Sequence, residues 1–148
     1  MTVDDELLVE QRALKLLSLR DHSSGELTAK LLAKSFCEQS VKVVIAKLEA
    51  DNILDDHGYC QRFIEQQAEK GMGPLLIQKK LRDRHVAEML IDSLMIDDDE
   101  FWFEKVAGVI RKKFGGIEVA MAKKARFLVS RGFTSRHIAH VLNTNCIE

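Results

Sequence analysis

An apolar run of helical period, introduced by a pair of acidic residues, occurs three times in this chain, and that recurrence constrains the fold more than any other feature. The pairs are Asp4-Asp5, Asp55-Asp56 and Asp97-Asp98, spaced 51 and 42 residues apart. Acidic residues suit a helix N-terminus, where they accept from unpaired N–H groups and meet the positive end of the dipole. Each unit, about 45 residues long, reads as helix–turn–helix–turn–helix, and units of that size bury their apolar faces by stacking on neighbours. The predicted fold is all-α: three tandem three-helix repeats, at residues 1–54, 55–96 and 97–148, stacked into an elongated curved array. No segment alternates with period two, so no strand is predicted.

The middle unit shows the plan most clearly. Tyr59, Cys60, Phe63 and Ile64 lie three to four residues apart and share one helix face. Gly71 and Gly73 allow a sharp bend, and Pro74, the only proline, suits the first helical position, where its missing N–H costs nothing. The helix it opens turns Ile77 and Leu81 inward and Lys79, Lys80, Arg82 and Arg84 towards water.

The flanking units follow the same scheme. Val9, Ala13, Leu16 and Leu17 mark a first helix that stops near Arg20-Asp21-His22-Ser23. Ser23 with Glu26 forms a capping box that opens a second helix through Leu27, Leu31 and Leu32. Ser40 is expected to start the third, where the helical period of Val41, Val44, Ile45 and Leu48 overrides β-branched propensity. A sixth helix carries Ala87, Leu90, Ile91 and Leu94. The seventh has Phe103, Ala107, Ile110 and Phe114 on one stripe, with Trp102, Val106 and Val109 beside it, and ends at Gly115-Gly116. So wide a stripe predicts burial on more than one side. The eighth places Met121, Ala125, Leu128 and Val129 inward, and Thr134 or Ser135 caps the ninth, which packs Ile138, Val141 and Leu142. Leu81 to Ile91 and Leu128 to Ile138 are both ten residues, whereas Leu32 to Ile45 is thirteen, which predicts a three-residue insertion in the first unit.

Composition removes several function classes. With 148 residues, 46% hydrophobic and 30% charged, the chain can bury a real core. No apolar run approaches the roughly 20 residues that cross a membrane, and the acidic N-terminus is unlike a secretory signal, so the expected location is cytoplasmic. Cys37, Cys60 and Cys146 are too few and too scattered for a disulfide framework or zinc site. His137 and His140 have a ligand-like spacing without further ligands nearby, so no metal or cofactor is expected. Carboxylates cluster at helix starts, where capping explains them, and Gly71-Met72-Gly73-Pro74 is a turn between helices rather than a phosphate loop. The chain is not expected to be an enzyme.

Charge is the one lopsided property. The net charge is −1, yet from Lys105 to His140 there are nine basic residues and a single acid, Glu118. A solvated helix face is the plain explanation; a surface for an anionic partner is the other. Lys123 and Arg126 lie opposite the apolar stripe of the eighth helix, with Lys124 and Arg131 along its border. Arg111, Lys112 and Lys113 end the seventh helix, where they also complement its dipole. Trp102, Phe103 and Phe114 belong to apolar stripes, and only Phe133, in a turn beside Gly132, is placed to act as a surface anchor.

Four motifs stand in order along the chain: Arg20-Asp21-His22-Ser23 with Glu26-Leu27; Leu54-Asp55-Asp56 with Tyr59 and Phe63; Lys70-Gly71-Met72-Gly73-Pro74 with Leu81; and Arg126-Phe127-Leu128 with Arg131-Gly132-Phe133. Taken together they resemble the RecX family, bacterial regulators of the recombinase RecA. The resemblance runs from about Val9 to Leu142. Two departures stand out: Arg84-His85-Val86 replaces a usual glycine, requiring His85 to take a left-handed turn at some cost, and Cys60 replaces a usual alanine. The resemblance implies a monomer that binds the groove of the RecA–single-stranded DNA filament, with at most weak contact to DNA. Such a protein hinders filament growth, ATP hydrolysis, strand exchange and co-protease function. The candidate contact residues are Lys79, Lys80, Arg82, Arg84, Lys105, Arg111, Lys112, Lys123, Lys124, Arg126, Arg131 and Arg136. The rival expectation is a general nucleic-acid-binding module using the basic last repeat.

Overall fold

The structure, a computed structural model, describes residues 3–147, with side chains from 5 to 143. The side chains of Asp4 and Cys146 lie outside the described residues. Among the described residues there are nine helices and no strand: α1 (Val3–Leu19), α2 (Ser24–Ala33), α3 (Glu38–Ala50), α4 (Asp56–Glu69), α5 (Pro74–Asp83), α6 (Glu88–Leu94), α7 (Asp99–Phe114), α8 (Met121–Ser130) and α9 (Ser135–Ile147).

The second helix of each triplet ends in the same turn. Its last carbonyls accept from Lys34 and Ser35, from Arg84 and His85, and from Arg131 and Gly132. The residue that reverses the chain has positive φ each time: Ser35 at 68°, His85 at 61° and Gly132 at 90°. Holding Ser35 and His85 there costs roughly 1–2 kcal/mol each, which the packing around them offsets. Four residues before each reversal stands a fully buried leucine, Leu31, Leu81 or Leu128, and ten residues after that leucine stands Val41, Ile91 or Ile138, all buried. The interval is therefore ten in all three triplets. The insertion expected in the first unit is absent, because Leu31 and Val41, rather than half-exposed Leu32 and Ile45, are the matching positions.

By proximity the chain gathers into two compact units, residues 1–61 with 81–93 and residues 62–80 with 94–148. In the first, α1, α2 and α3 enclose Val9, Ala13, Leu27, Leu31, Val41, Val44, Leu48 and Leu54. The start of α2 meets the α5–α6 turn. Ser23 Oγ donates to the Arg84 carbonyl at 2.5 Å, and Ser24 donates from N and Oγ to the Asp56 carboxylate at 2.7 and 2.5 Å. A Cβ on Gly25 would fall on the His85 carbonyl oxygen, so only glycine allows this approach. Arg84 also donates to Tyr59 Oη at 2.8 Å.

In the second unit the same junction recurs with main chain on both sides. Gly73 N donates to the Arg131 carbonyl at 2.7 Å and Leu75 N to that of Gly132 at 2.9 Å. A Cβ on Gly73 would lie 2.5 Å from the Gly132 carbonyl carbon and oxygen. Around it, Trp102, Val106, Ile110, Phe114, Leu128, Phe133, Ile138, Val141 and Leu142 are buried. Trp102 Nε1 donates to the Ile96 carbonyl at 2.8 Å, as a buried indole must find an acceptor.

Local expectations were met unevenly. Helix α3 begins at Glu38 after Cys37, and Ser40 lies inside it, buried, so it does not start the helix. Thr134 is the cap of α9, its Oγ1 accepting from His137 N at 3.2 Å. Met121 and Val129, expected inward, are 42% and 63% exposed, which leaves Leu128 as the buried residue of α8. Phe133 is buried against Trp102 and cannot anchor a surface. Cys60 packs in the core, and burial pushes its thiol up to about 11.

Gly73→Ala is expected to destabilise the chain by about 1–3 kcal/mol, because backbone must move to admit the methyl. At roughly 2–4 °C per kcal/mol for a chain of this size, thermal melting should drop by several degrees. Gly116→Ala, where a Cβ meets nothing within 4 Å, should leave the melting temperature nearly unchanged. Equal melting of both variants would show that the junction tolerates a side chain.

Candidate partner-binding surface

The twelve basic residues singled out from the sequence divide by what they touch. Arg82 makes a two-pronged pair with Glu88 at 2.7 and 2.8 Å, and this bonding raises the Arg82 pKa and lowers that of Glu88. Arg136 pairs with Asp99 at 2.6 Å, Lys105 with Glu69 at 3.3 Å, and Lys80 donates to Gln67 Oε1 at 3.1 Å. Arg84 is half-buried and tied into the α2 junction. Lys79 is exposed. Arg111, Lys112, Lys123, Lys124 and Arg126 pair with no carboxylate among the described residues. Four of these five are exposed and Lys124 is half-exposed. They occupy the last turn of α7 and the polar side of α8, as their spacing indicated.

A groove of about 440 Å³ runs beside them in the second unit. Its walls are the end of α4 and the turn after it (Ala68 to Gly71), one side of α7 (Glu104, Lys105, Gly108, Val109, Lys112 and Lys113), and Phe127 of α8 with Arg131 just past that helix. Lys105, Lys112 and Arg131 of the expected set come together here; the other nine do not. Lys113 Nζ and Arg131 Cζ sit over the Phe127 ring at 5.2 and 5.1 Å, and Phe114 meets it edge-on at 5.7 Å. Such cation–ring contacts are worth about 0.5–1 kcal/mol when exposed. Lys70, Lys113, Phe127 and Gly108 are groove residues absent from the expected set. The i,i+4 spacing of Phe127 and Arg131 and a glycine inside α7 were the available signals.

A second polar cluster surrounds the Arg20–Glu26 motif. Arg20 grips the Glu26 carboxylate with both terminal nitrogens, at 3.1 and 2.6 Å. Burial pushes the Glu26 pKa up, but the Arg20 hydrogen bonds and charge bring it down overall. Buried His22 lies 3.0 Å from the Arg20 carbonyl through Nδ1 and 2.9 Å from Lys30 Nζ through Nε2. Burial lowers its pKa, so the neutral ring donates at Nδ1 and accepts at Nε2. His137 Nε2 is 3.0 Å from Asp99 Oδ1 and His140 stacks on Phe103 at 3.8 Å. No group of three or more His, Cys, Asp or Glu among the described residues is arranged to hold a metal ion, and no helix among them is long and apolar enough to cross a membrane.

The nine helices of the described residues, in three matching triplets, define an all-α protein built from three-helix repeats. Residues 11–48 match the first three-helix domain of RecX as a sequence family. The regulatory protein RecX of Vibrio campbellii is 35% identical over 138 residues, covering 90% of this chain and 89% of its own length. That of Pseudomonas putida is 28% identical over 95% of this chain and 93% of its own. The crystal structure of RecX from Lactobacillus salivarius superposes with a TM-score of 0.87 over 99% of this chain and all of that one, at 19% identity, so the fold is shared. The chain belongs to the RecX family of regulatory proteins.

The Arg20 cluster makes stability fall in acid. His22 has a depressed folded pKa, so below about pH 6.5 the unfolded chain takes up a proton that the native chain resists. Glu26, also depressed, contributes stability above its unfolded pKa that is lost as pH falls through its folded value. The urea midpoint is expected to be lower at pH 5 than at pH 7, and His22→Gln should shrink that difference. An unchanged difference in the variant would remove His22 from the account.

Proposed function

We propose that this chain regulates the recombinase RecA by binding along the RecA–single-stranded DNA filament. Membership of the RecX family carries the regulatory part of this reading. The five basic side chains on α7 and α8 that lack a carboxylate partner support an anionic filament as the target. Bound there, the chain hinders filament growth, RecA's ATP hydrolysis, strand exchange and co-protease function, and so restrains recombination and the SOS response. It hydrolyses neither nucleotide nor nucleic acid itself, and it acts in the cytoplasm as a monomer.

Exposed cations steer a protein to an oppositely charged partner and weaken as salt screens them. Lys123→Glu, Lys124→Glu and Arg126→Glu together reverse six charge units on α8. Glutamate is a good helix former, and surface changes stay within about 0.5 kcal/mol each, so the variant should fold. Its inhibition of RecA's DNA-dependent ATPase should fall sharply, with filament binding reduced more than binding to naked single-stranded DNA. If naked-DNA binding is the main loss, with log affinity falling by about 0.7 per phosphate contact per log unit of salt, the chain is instead a nucleic-acid-binding module. A folded variant that still inhibits at wild-type concentrations would clear α8 of any role.

A further inference from the structure

Gly108 sits in the interior of α7, where glycine is destabilising relative to alanine. Nothing inside the molecule requires it, because a Cβ there would meet no atom within 4 Å. Gly71, across the groove, is accounted for by its positive φ of 87°; Gly108 is accounted for by neither backbone nor packing. It does line the groove, and its missing side chain leaves α7 open to whatever enters.

The walls state what kind of occupant fits. Lys70, Lys112, Lys113 and Arg131 line the groove together with apolar Ala68 and Val109. Lys70 and Lys112 meet no carboxylate among the described residues. The Phe127 ring, which a nucleobase would need for stacking, already carries two cations. Glu104, and Glu69 with the Lys105 it pairs with, interrupt the row of positive charge that a continuous phosphodiester would need, whereas a peptide brings spaced carboxylates and N–H donors that both signs of charge can use. We propose that this groove docks an acidic peptide segment of a protein partner, with an apolar side chain set over Gly108. The inference rests on reading the chain as a protein-binding regulator and names the surface and the chemistry it recognises.

The test titrates the isotopically labelled full chain with a short Asp/Glu-rich peptide carrying one central leucine. The same peptide with serine in place of leucine and an oligothymidylate serve as comparisons. The Gly71 and Gly108 amide resonances should move with the leucine peptide, and loss of the leucine should weaken binding about tenfold or more. Gly108→Ala should raise the melting temperature by about 2 °C while weakening the peptide. Gly108→Leu should fill the groove and abolish peptide binding, with an unchanged circular dichroism spectrum. Amides that do not respond, or peptide binding indifferent to Gly108→Leu, would overturn the proposal. So would oligothymidylate binding that Gly108→Leu blocks in preference to the peptide. RecA ATPase assays run alongside separate the two readings. Inhibition lost in Gly108→Leu supports docking in the groove. Inhibition retained there means docking elsewhere while the RecA reading stands. A wild-type chain that never inhibits RecA fails that reading, and the amide shifts then decide the groove alone.

Discussion

The close approach of the start of one triplet's second helix to the left-handed turn of the next triplet is the contact on which the rest depends. It occurs as Ser23 and Gly25 against Arg84 and His85, and again as Gly73 and Leu75 against Arg131 and Gly132. At both places the acceptors are carbonyls freed by the end of a helix, which would otherwise be buried without partners. The partner donors are a side-chain hydroxyl in the first case and main-chain N–H groups in the second. A side chain at Gly25 or Gly73 would separate the surfaces, so the junction depends on bare backbone rather than on apolar contact alone. Each compact unit contains one such junction, which is why the helices of the middle triplet are shared between them.

Much of this was legible in the residues. Gly71-Met72-Gly73-Pro74 announced a turn and the acidic pairs announced helix starts, whereas the α7 stripe of Phe103, Ala107, Ile110 and Phe114 was set off-centre: the buried line is Trp102, Val106, Ile110 and Phe114, with Phe103 and Ala107 at its half-buried edge. The register of the first triplet was misread because Leu31 and Leu32 are adjacent and either fits a helical stripe. Its reversing residue, Ser35, does nothing in the sequence to single out Leu31 over Leu32, so the ten-residue spacing was hidden. Phe133 was misplaced for a related reason: a residue after a turn glycine looks exposed in one dimension, yet the Leu128 carbonyl accepts its N–H and draws its ring against Trp102. Val129 shows the converse, an apolar residue whose period suggested burial but which nothing covers.

The basic surface was legible as a region and not as a set of contacts. A count of charge finds α7 and α8, but it cannot tell that Arg136 reaches Asp99, that Lys105 reaches Glu69, or that Arg84 is absorbed by Tyr59 and the α2 junction. Those pairings link residues 25 to 37 positions apart, a separation that no local pattern encodes. Phe127 is a motif residue in the sequence, and its position between Lys113 and Arg131 makes it the aromatic centre of the groove. On α8, Lys123 and Arg126 are exposed, but so are Met121 and Val129, so helical period alone does not decide which face of this short helix is wet.

Trp102 is the only tryptophan of the chain and Tyr59 the only tyrosine. The indole is buried, bonded to the Ile96 carbonyl and edge-on to Phe101 and Phe133, within residues 62–80 and 94–148. The phenol belongs to the other compact unit, held by Arg84. The molecule therefore carries a separate native fluorophore in each half. Emission excited selectively from the indole tracks the loosening of one half, while the phenol's ultraviolet difference absorbance tracks the other. Whether the two halves melt as one body or in succession can be watched in the unlabelled, unmodified chain.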